Sequence, residues 1–388
     1  MTQAALLDAG LLSRVRDRLV AEGGVPTAAR VAAALRDVGG GLHGDVEVAG
    51  VLRRLQDEIV GAGPLQPLLA DPQVTDVLVN GPHEVWVDRG AGLERADVRF
   101  PDDAAVRRLA VRLAAPTGRR LDDAQPWVDA RLPDGVRLHA VLPPIAPRGT
   151  LLSLRVPRRR VFRVEELASA GSVPRDGVAL LRQLVASRAA FLVSGGTGTG
   201  KTTLLSALLS LVPDQDRLLL VEDAGELDPD HPHVVRLEAR PVNVEGAGEV
   251  TLRDLVRQAL RMRPDRVVVG EVRGAEVVDL LAALNTGHEG GCGTLHANSA
   301  RDVPARLEAL AAVAGLDRAA LHSQLASGLR LAVHLVRLPH GARRVAEVCV
   351  LRRGADGLVV AVPAWSWDGL APAGSPGPAA DELRELLA

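Results

Sequence analysis

The sequence predicts an α/β protein: a largely parallel sheet covered on both faces, preceded by a smaller α+β segment. Three observations carry this. From about residue 173 to 340, short apolar runs alternate with helical stretches such as Thr202 to Leu211 and Leu252 to Leu260. The runs Phe191 to Val193, Leu218 to Val221 and Val267 to Val269 are continuous rather than alternating, as in strands buried on both faces. Upstream, short β-rich pieces and turn signals are mixed with helical spacing.

Taken in order, residues 1–48 read as a helical preamble, with Leu11, Val15, Leu19 and Val20 at helical spacing and Gly39-Gly40-Gly41 ending the pattern. Residues 49–154 read as the α+β domain. Val51 to Val60 is expected to be helical, Val77 to Val79 and Val85 to Val87 to be strands around Asn80-Gly81, and Ala104 to Ala114 to be helical. Leu132-Pro133-Asp134-Gly135 is a turn leading into a strand from Val136 to Leu142. Residues 155–172 open with an arginine cluster around Pro157 and read as an inter-domain linker. The α/β domain then runs over 173–353, closing with a hairpin from Leu331 to Leu338 and Val345 to Leu351. Residues 354–388 are expected to be a Pro/Gly/Ala-rich tail, poor in pattern, with one short helix over Asp381 to Ala388.

At 388 residues the chain is long enough for two or three domains of ~150 residues. With 47% hydrophobic and 24% charged residues it can bury a core. A net charge of −2 and 2% aromatics argue against nucleic acid as a partner. Two cysteines are too few for a disulfide framework or a four-cysteine zinc module. No apolar run approaches the ~20 residues of a membrane span. Asp8 stands where a signal peptide carries positive charge, so an intracellular chain is expected.

Of the 46 basic residues only Lys201 is a lysine. Against such a bias toward arginine, this position is one where a guanidinium cannot replace a compact ammonium. Lys201 sits in Gly195-Gly196-Thr197-Gly198-Thr199-Gly200-Lys201-Thr202, which fits G-x-x-x-x-G-K-[ST] between a strand and a helix. In such a loop the backbone N–H groups and the helix N-terminus converge on phosphate oxygens. Lys201 is expected to meet the β- and γ-phosphates and Thr202 to hold Mg²⁺; Gly195 to Thr203 is the candidate binding segment, with a nucleoside triphosphate and Mg²⁺ as the ligands. An exposed Lys201 with little packing is expected.

Hydrolysis also needs carboxylates and positive charge. Leu218 to Val221 ends in Glu222, and Val267 to Gly270 ends in Glu271, each an apolar strand lying beside the phosphate-loop strand and finishing in an acid, as in a Walker-B motif. Cys292 to His296 reads as a strand whose last residue, His296, is either a structural histidine or, beside a phosphate-loop sheet, a sensor of the γ-phosphate through its ring N–H.

Beyond the loop, Leu237-Glu238-Ala239-Arg240-Pro241, the run Gly248 to Val256, the run Ala259 to Arg266, Gly270-Glu271-Val272-Arg273-Gly274 and Gly293-Thr294-Leu295-His296-Ala297-Asn298 resemble the signature of the secretion ATPase superfamily of type II and type IV secretion and type IV pili. In the N-terminal part Gly63-Pro64-Leu65, Val79-Asn80-Gly81-Pro82 and Asp129 to Gly135 do likewise, over roughly residues 50–353. The branch it most resembles is that of the CpaF/TadA-type ATPases of tight-adherence (Flp) pili. A tetracysteine zinc insertion found in many type II secretion ATPases is missing.

That resemblance implies a RecA-like P-loop NTPase domain behind a smaller PAS-like domain, assembled as a hexameric ring with ATP between the two domains. It implies Glu222 in the "Asp box", Glu271 in Walker B and His296 in the "His box", with Glu222 favoured as the base and Glu271 near Mg²⁺. Arg131, Arg137 and Arg155 match motif arginines that reach the phosphates in this family, Arg137 and Arg155 being preferred, and Arg240 is a further candidate. The implied activity is ATP hydrolysis powering pilus assembly or protein export at the cytoplasmic face of the inner membrane, through a polytopic platform protein. Alternatives are a type IV secretion or conjugal-transfer ATPase, a DNA-dependent motor, and a nucleotide-gated scaffold.

Overall fold

A computed structural model describes residues 14, 15, 18, 28–39, 61–90, 92–156, 161–240, 242, 247–287, 289–338 and 341–388. The expected helix over 51–60, most of the preamble pattern and the arginines at 158–160 lie outside these. The chain divides into two compact units, Met1–Arg158 and Arg159–Ala388.

In the first unit a six-stranded antiparallel sheet has the order β3-β2-β1-β6-β5-β4. Its strands are β1 (Asp76–Val79), β2 (Val85–Asp88), β3 (Leu93–Arg95), β4 (Trp127–Arg131), β5 (Arg137–Val141) and β6 (Leu151–Arg155). Strict alternation gives the sheet one apolar face, with Val128, Ala130, Leu138, Ala140, Leu152 and Leu154 buried. Those residues share a core with Val106, Leu109 and Leu113 of the Asp103–Ala114 helix. Asp102 caps that helix by accepting from the Ala105 N–H at 2.7 Å.

In the second unit nine strands run in the order β15-β14-β13-β12-β7-β11-β10-β8-β9. Six are parallel: β7 (Phe191–Gly195), β8 (Leu218–Glu222), β9 (Val234–Glu238), β10 (Arg266–Val272), β11 (Cys292–Leu295) and β12 (Leu331–Arg337). The continuous apolar runs feed two cores, one on each face. Phe191, Val193, Leu218, Leu220 and Val268 join the helices Arg175–Ala186 and Lys201–Leu209. Leu192, Leu219, Val221, Val267 and Val269 join the helices Leu252–Ala259, Glu276–Leu284, Val303–Val313 and Arg318–Gly328. No helix among the described residues is long and apolar enough to cross a membrane.

Two readings of the chain's punctuation need correction. Arg155 closes β6 instead of opening a linker, and 161–172 belong to the second unit, where Val164 begins a helix to Ser169 and is fully buried. The dense arginines hid the apolar spacing of Val164 and Leu167. Nor is 354–388 a patternless tail. β13 (Arg343–Arg353) pairs antiparallel with β14 (Val359–Ser366), which pairs in turn with β15 (Ser375–Pro376). Trp365 Nε1 and the Gly374 N–H both donate to Asp176 Oδ2, at 2.9 and 3.0 Å, and the helix Ala380–Leu387 buries Leu383. Residues 358–362 form a continuous apolar run that fits a strand, masked by the Gly and Pro on either side of it.

A chain ending at Gly354 would leave one edge of β13 unpaired and uncover Val348 and Val350, which are buried. Such a chain is expected to melt at least about 5 °C below the full chain, since a few kcal/mol spread over a domain of this size shifts the midpoint by that order. An unchanged midpoint by calorimetry would show that the C-terminal strands add nothing to the sheet.

Candidate nucleotide site

The segment 196–200 connects β7 to the Lys201–Leu209 helix. A Cβ on Gly195 would lie 2.6 Å from the Leu335 carbonyl of neighbouring β12, so only glycine lets the strand end this close to its partner. Gly200 precedes the helix at φ +93°, a left-handed conformation that L side chains resist. Thr199 Oγ1 closes the loop on the Gly196 carbonyl at 2.9 Å. Thr197 and Gly198 are exposed at its crest, Thr202 is half-buried at the first helical turn, and Thr203 is exposed.

Lys201 is not the exposed residue expected from sequence: only 7% of it is accessible. Its Nζ donates to the Gly195 and Gly196 carbonyls, at 3.1 Å each, and lies 3.3 Å from His296 Nε2. Burial pushes the ammonium pKa down, and the Glu271 and Glu226 carboxylates oppose that shift. The same His296 Nε2 stands 3.1 Å from Glu271 Oε1. Burial and the Lys201 charge lower the imidazole pKa, with Glu271 acting the other way. A neutral imidazole nitrogen holds one proton or one lone pair. Nε2 therefore donates to Glu271 or accepts from Lys201, one at a time.

The sheet order explains this grouping and corrects one expectation. Neither acidic strand lies beside the phosphate-loop strand. β11 does, and it leads into His296; β10 with Glu271 comes next, and β8 with Glu222 is third. Lys201, His296 and Glu271 are thus joined in one chain of contacts, and Glu222 stands one strand further out.

Glu222 is 3% accessible. Its Oε1 accepts the Glu226 and Leu227 N–H groups, both at 2.9 Å, while Oε2 is buried with no partner. Burial raises its pKa to about 7 against the pull of those two N–H groups. Gly270 on β10 makes room for it, since a Cβ there would come within 2.7 Å of Glu222 Cγ. Sequence reasoning missed Gly270 as a support, and Glu276 as well. Glu276 is buried and accepts the Arg273 and Gly274 N–H groups, at 2.7 and 2.8 Å, fixing the turn after Glu271. Asp223 pairs with Arg273. The close spacing of Glu271, Gly274 and Glu276 is the signal that was available.

The N-terminal arginines form a group of their own. Arg131 faces Arg137 across the β4–β5 ladder, and Arg137 faces Arg155 across β5–β6. Arg155 in turn faces Asp76, with Nε 3.8 Å from Oδ1. All three arginines lie in the first unit and the phosphate loop in the second. Arg240 is engaged within its own segment, donating from Nε to the Gly248 carbonyl at 2.7 Å.

The model of the family described as "Type II/IV secretion system protein" matches residues 58–357. The chain belongs to that family. It is an ATPase, with the phosphate loop, its lysine and its acids arranged as above. A putative conjugal transfer protein of Mycobacterium tuberculosis is 60% identical over 331 residues, covering 84% of this chain and 94% of the relative. The type IV secretion system protein VirB11 of Brucella suis is 33% identical over 261 residues, covering 61% of this chain and 72% of the relative. Among solved structures, the pilus retraction motor PilT with bound ADP aligns with a TM-score of 0.55 at 20% identity, over 75% of this chain and 83% of that one. The Legionella pneumophila ATPase DotB aligns at 0.52 and 19%, over 73% and 78%. At those identities the likeness is one of fold.

The Glu222 environment has a consequence for stability. A carboxyl whose folded pKa is raised from 4.5 to about 7 stabilises the fold fully below pH 4.5, and that contribution is lost as pH climbs through 7. Glu222→Gln stays neutral and keeps an acceptor for the two N–H groups. Its melting point is expected to match the parent's near pH 5 and to exceed it by pH 8, by at most about 3 kcal/mol in stability. Parallel melting curves across that window would mean that Glu222 ionises like an ordinary carboxyl.

Proposed function

We propose that the chain is the ATP-hydrolysing motor of a pilus-assembly or secretion machine, acting as a hexameric ring. In this reading the second unit is a RecA-like P-loop domain and the first a PAS-like domain. The observation that carries it is the contact chain from Lys201 through His296 to Glu271, behind a glycine loop at the end of a parallel strand. The branch favoured is the CpaF/TadA type of tight-adherence pili, working through a polytopic platform protein at the inner face of the inner membrane. The M. tuberculosis relative's description as a putative conjugal transfer protein favours a second reading with the same chemistry and a different cargo.

The residues divide the work of hydrolysis. Backbone N–H groups of 195–200 and the Lys201 ammonium hold the β- and γ-phosphates, with Thr203 just inside the helix. Among the described residues no three His, Cys, Asp or Glu side chains converge on a metal position. The donor set fits Mg²⁺ nevertheless, because that ion takes most of its ligands from phosphate and water, leaving one or two to the protein. Thr202 and Glu271 would hold it, and it would neutralise charge developing on the phosphates. Glu222 takes the proton of the attacking water: its free, buried Oε2 is an acceptor, and a pKa near 7 suits a base at neutral pH. The water oxygen bonds to the γ-phosphorus as the bond to ADP breaks. His296 links Lys201 to Glu271 and so registers the γ-phosphate.

The first measurement is Mg²⁺-dependent phosphate release from ATP across a range of protein concentrations. Specific activity is expected to rise steeply with concentration, as for a site completed by a neighbouring subunit. A rate independent of concentration would overturn the ring.

Glu222→Gln is expected to retain ATP binding while turnover falls by about 10²-fold or more. Near-normal turnover would move the role of base to Glu271. Lys201→Ala should abolish turnover altogether.

A further inference from the structure

The groups assigned above within the second unit approach the phosphate loop from β11, β10 and β8. The opposite flank is closed by β12 and β13, and there the loop meets arginine. Arg343, the first residue of β13, donates from Nε to the Gly198 carbonyl at 2.7 Å. Its Cδ stands 3.3 Å from where a Cβ on Gly200 would lie. Arg337, the last residue of β12, brings Nη1 equally close, 3.3 Å, to the same point on Gly198. Both side chains are exposed.

The two arginines are direct partners in the antiparallel ladder, so they leave the same face of the β12–β13 ribbon. Like charges placed opposite one another weaken a β-ladder. Here they stand beside a loop built to receive an anion, whose negative charge close by would offset that repulsion.

The Arg343 hydrogen bond also orients the loop. In a trans peptide the carbonyl and the following N–H point in opposite directions. Drawing the Gly198 carbonyl toward Arg343 turns the Thr199 N–H away from the hairpin, fixing one donor before the ligand arrives.

We propose that Arg337 and Arg343 form a second phosphate-binding element of the nucleotide site. Arg343 is a positioning residue acting through Gly198, and Arg337 contacts the polyphosphate at its α end. The α end is assigned because the γ end is committed to Lys201, His296 and Glu271. This inference rests on the reading that ATP occupies the 195–203 loop.

The experiment measures binding of a fluorescent ADP analogue, steady-state ATPase kinetics and thermal melting for the full chain. Arg337→Ala and Arg343→Ala are each expected to weaken ADP binding on the order of tenfold, the loss of one charge-assisted contact. KM for ATP should rise in step, with kcat falling less. Arg343→Lys keeps the charge but loses the planar guanidinium, and should recover only part of the affinity. Arg352→Ala, further along β13 where Arg352 faces Glu382, should bind ADP like the parent.

ADP affinity unchanged in both alanine variants would overturn the proposal, as would a fall in kcat at constant KM. If Arg343→Ala melts early, Arg337→Ala and Arg343→Lys decide the matter. Lys201→Ala separates the two levels of the argument. If it binds ADP like the parent, the loop itself is not the nucleotide site; if it does not, while both arginine variants bind normally, only the arginine pair is misassigned.

Discussion

The site is organised around one buried positive charge. An ammonium taken out of water is costly unless hydrogen bonds and opposite charge replace its solvation. Lys201 obtains these from two carbonyls of its own loop, from the lone pair that His296 can offer, and from the field of Glu271 and Glu226. Each partner depends on a separate feature of the fold. The carbonyls face inward because glycine allows Gly195 to press against β12. His296 is present because β11 lies between β7 and β10. Glu271 is held by a turn whose N–H groups are tied to Glu276. The pocket accepts a compact ammonium, and a guanidinium would present a wider plane with more donors to satisfy. This gives a physical reason for a lone lysine in a chain that otherwise uses arginine throughout.

Because His296 Nε2 serves either Lys201 or Glu271, the two ends of the contact chain are coupled. In the proposed cycle, drawing the Lys201 ammonium toward a phosphate frees the Nε2 lone pair, and transfer of the ring proton from Nδ1 to Nε2 through solvent then lets Nε2 donate to Glu271. The effect needs no large movement, since both separations are already at hydrogen-bonding range. A lowered imidazole pKa keeps the ring neutral near pH 7, which the exchange requires.

Legibility in the sequence followed how local the determinant was. The phosphate loop was plain because its glycines, lysine and threonine are fixed by backbone conformation and charge within eight residues. The acids at the ends of β8 and β10 were also plain, since an apolar run ending in a carboxylate is a local pattern. Strand order is not local, and both acids were expected beside β7 although β11 intervenes. The depth of Lys201 escaped for the same reason, because its cover comes from His296, far along the chain. Arg337 and Arg343 escaped because they are two among 45 arginines; only the β12–β13 register sets them against Gly198. The C-terminal strands were obscured by glycine and proline around a short apolar run.

Glu222 and Glu271 are of similar chemistry in dissimilar surroundings, and the surroundings separate their roles in the proposed reaction. Glu271 is 35% accessible at the side chain and faces both a buried ammonium and an imidazole. Such neighbours place it where a cation and the phosphate-side lysine meet, which suits a carboxylate that would hold Mg²⁺. Glu222 is enclosed, with one oxygen pinned by two N–H groups and the other unpartnered. Pinning fixes the direction of the free oxygen, and burial holds its proton affinity close to neutral. A base needs both properties: a lone pair aimed in advance, and a pKa high enough to take a proton yet low enough to give it up.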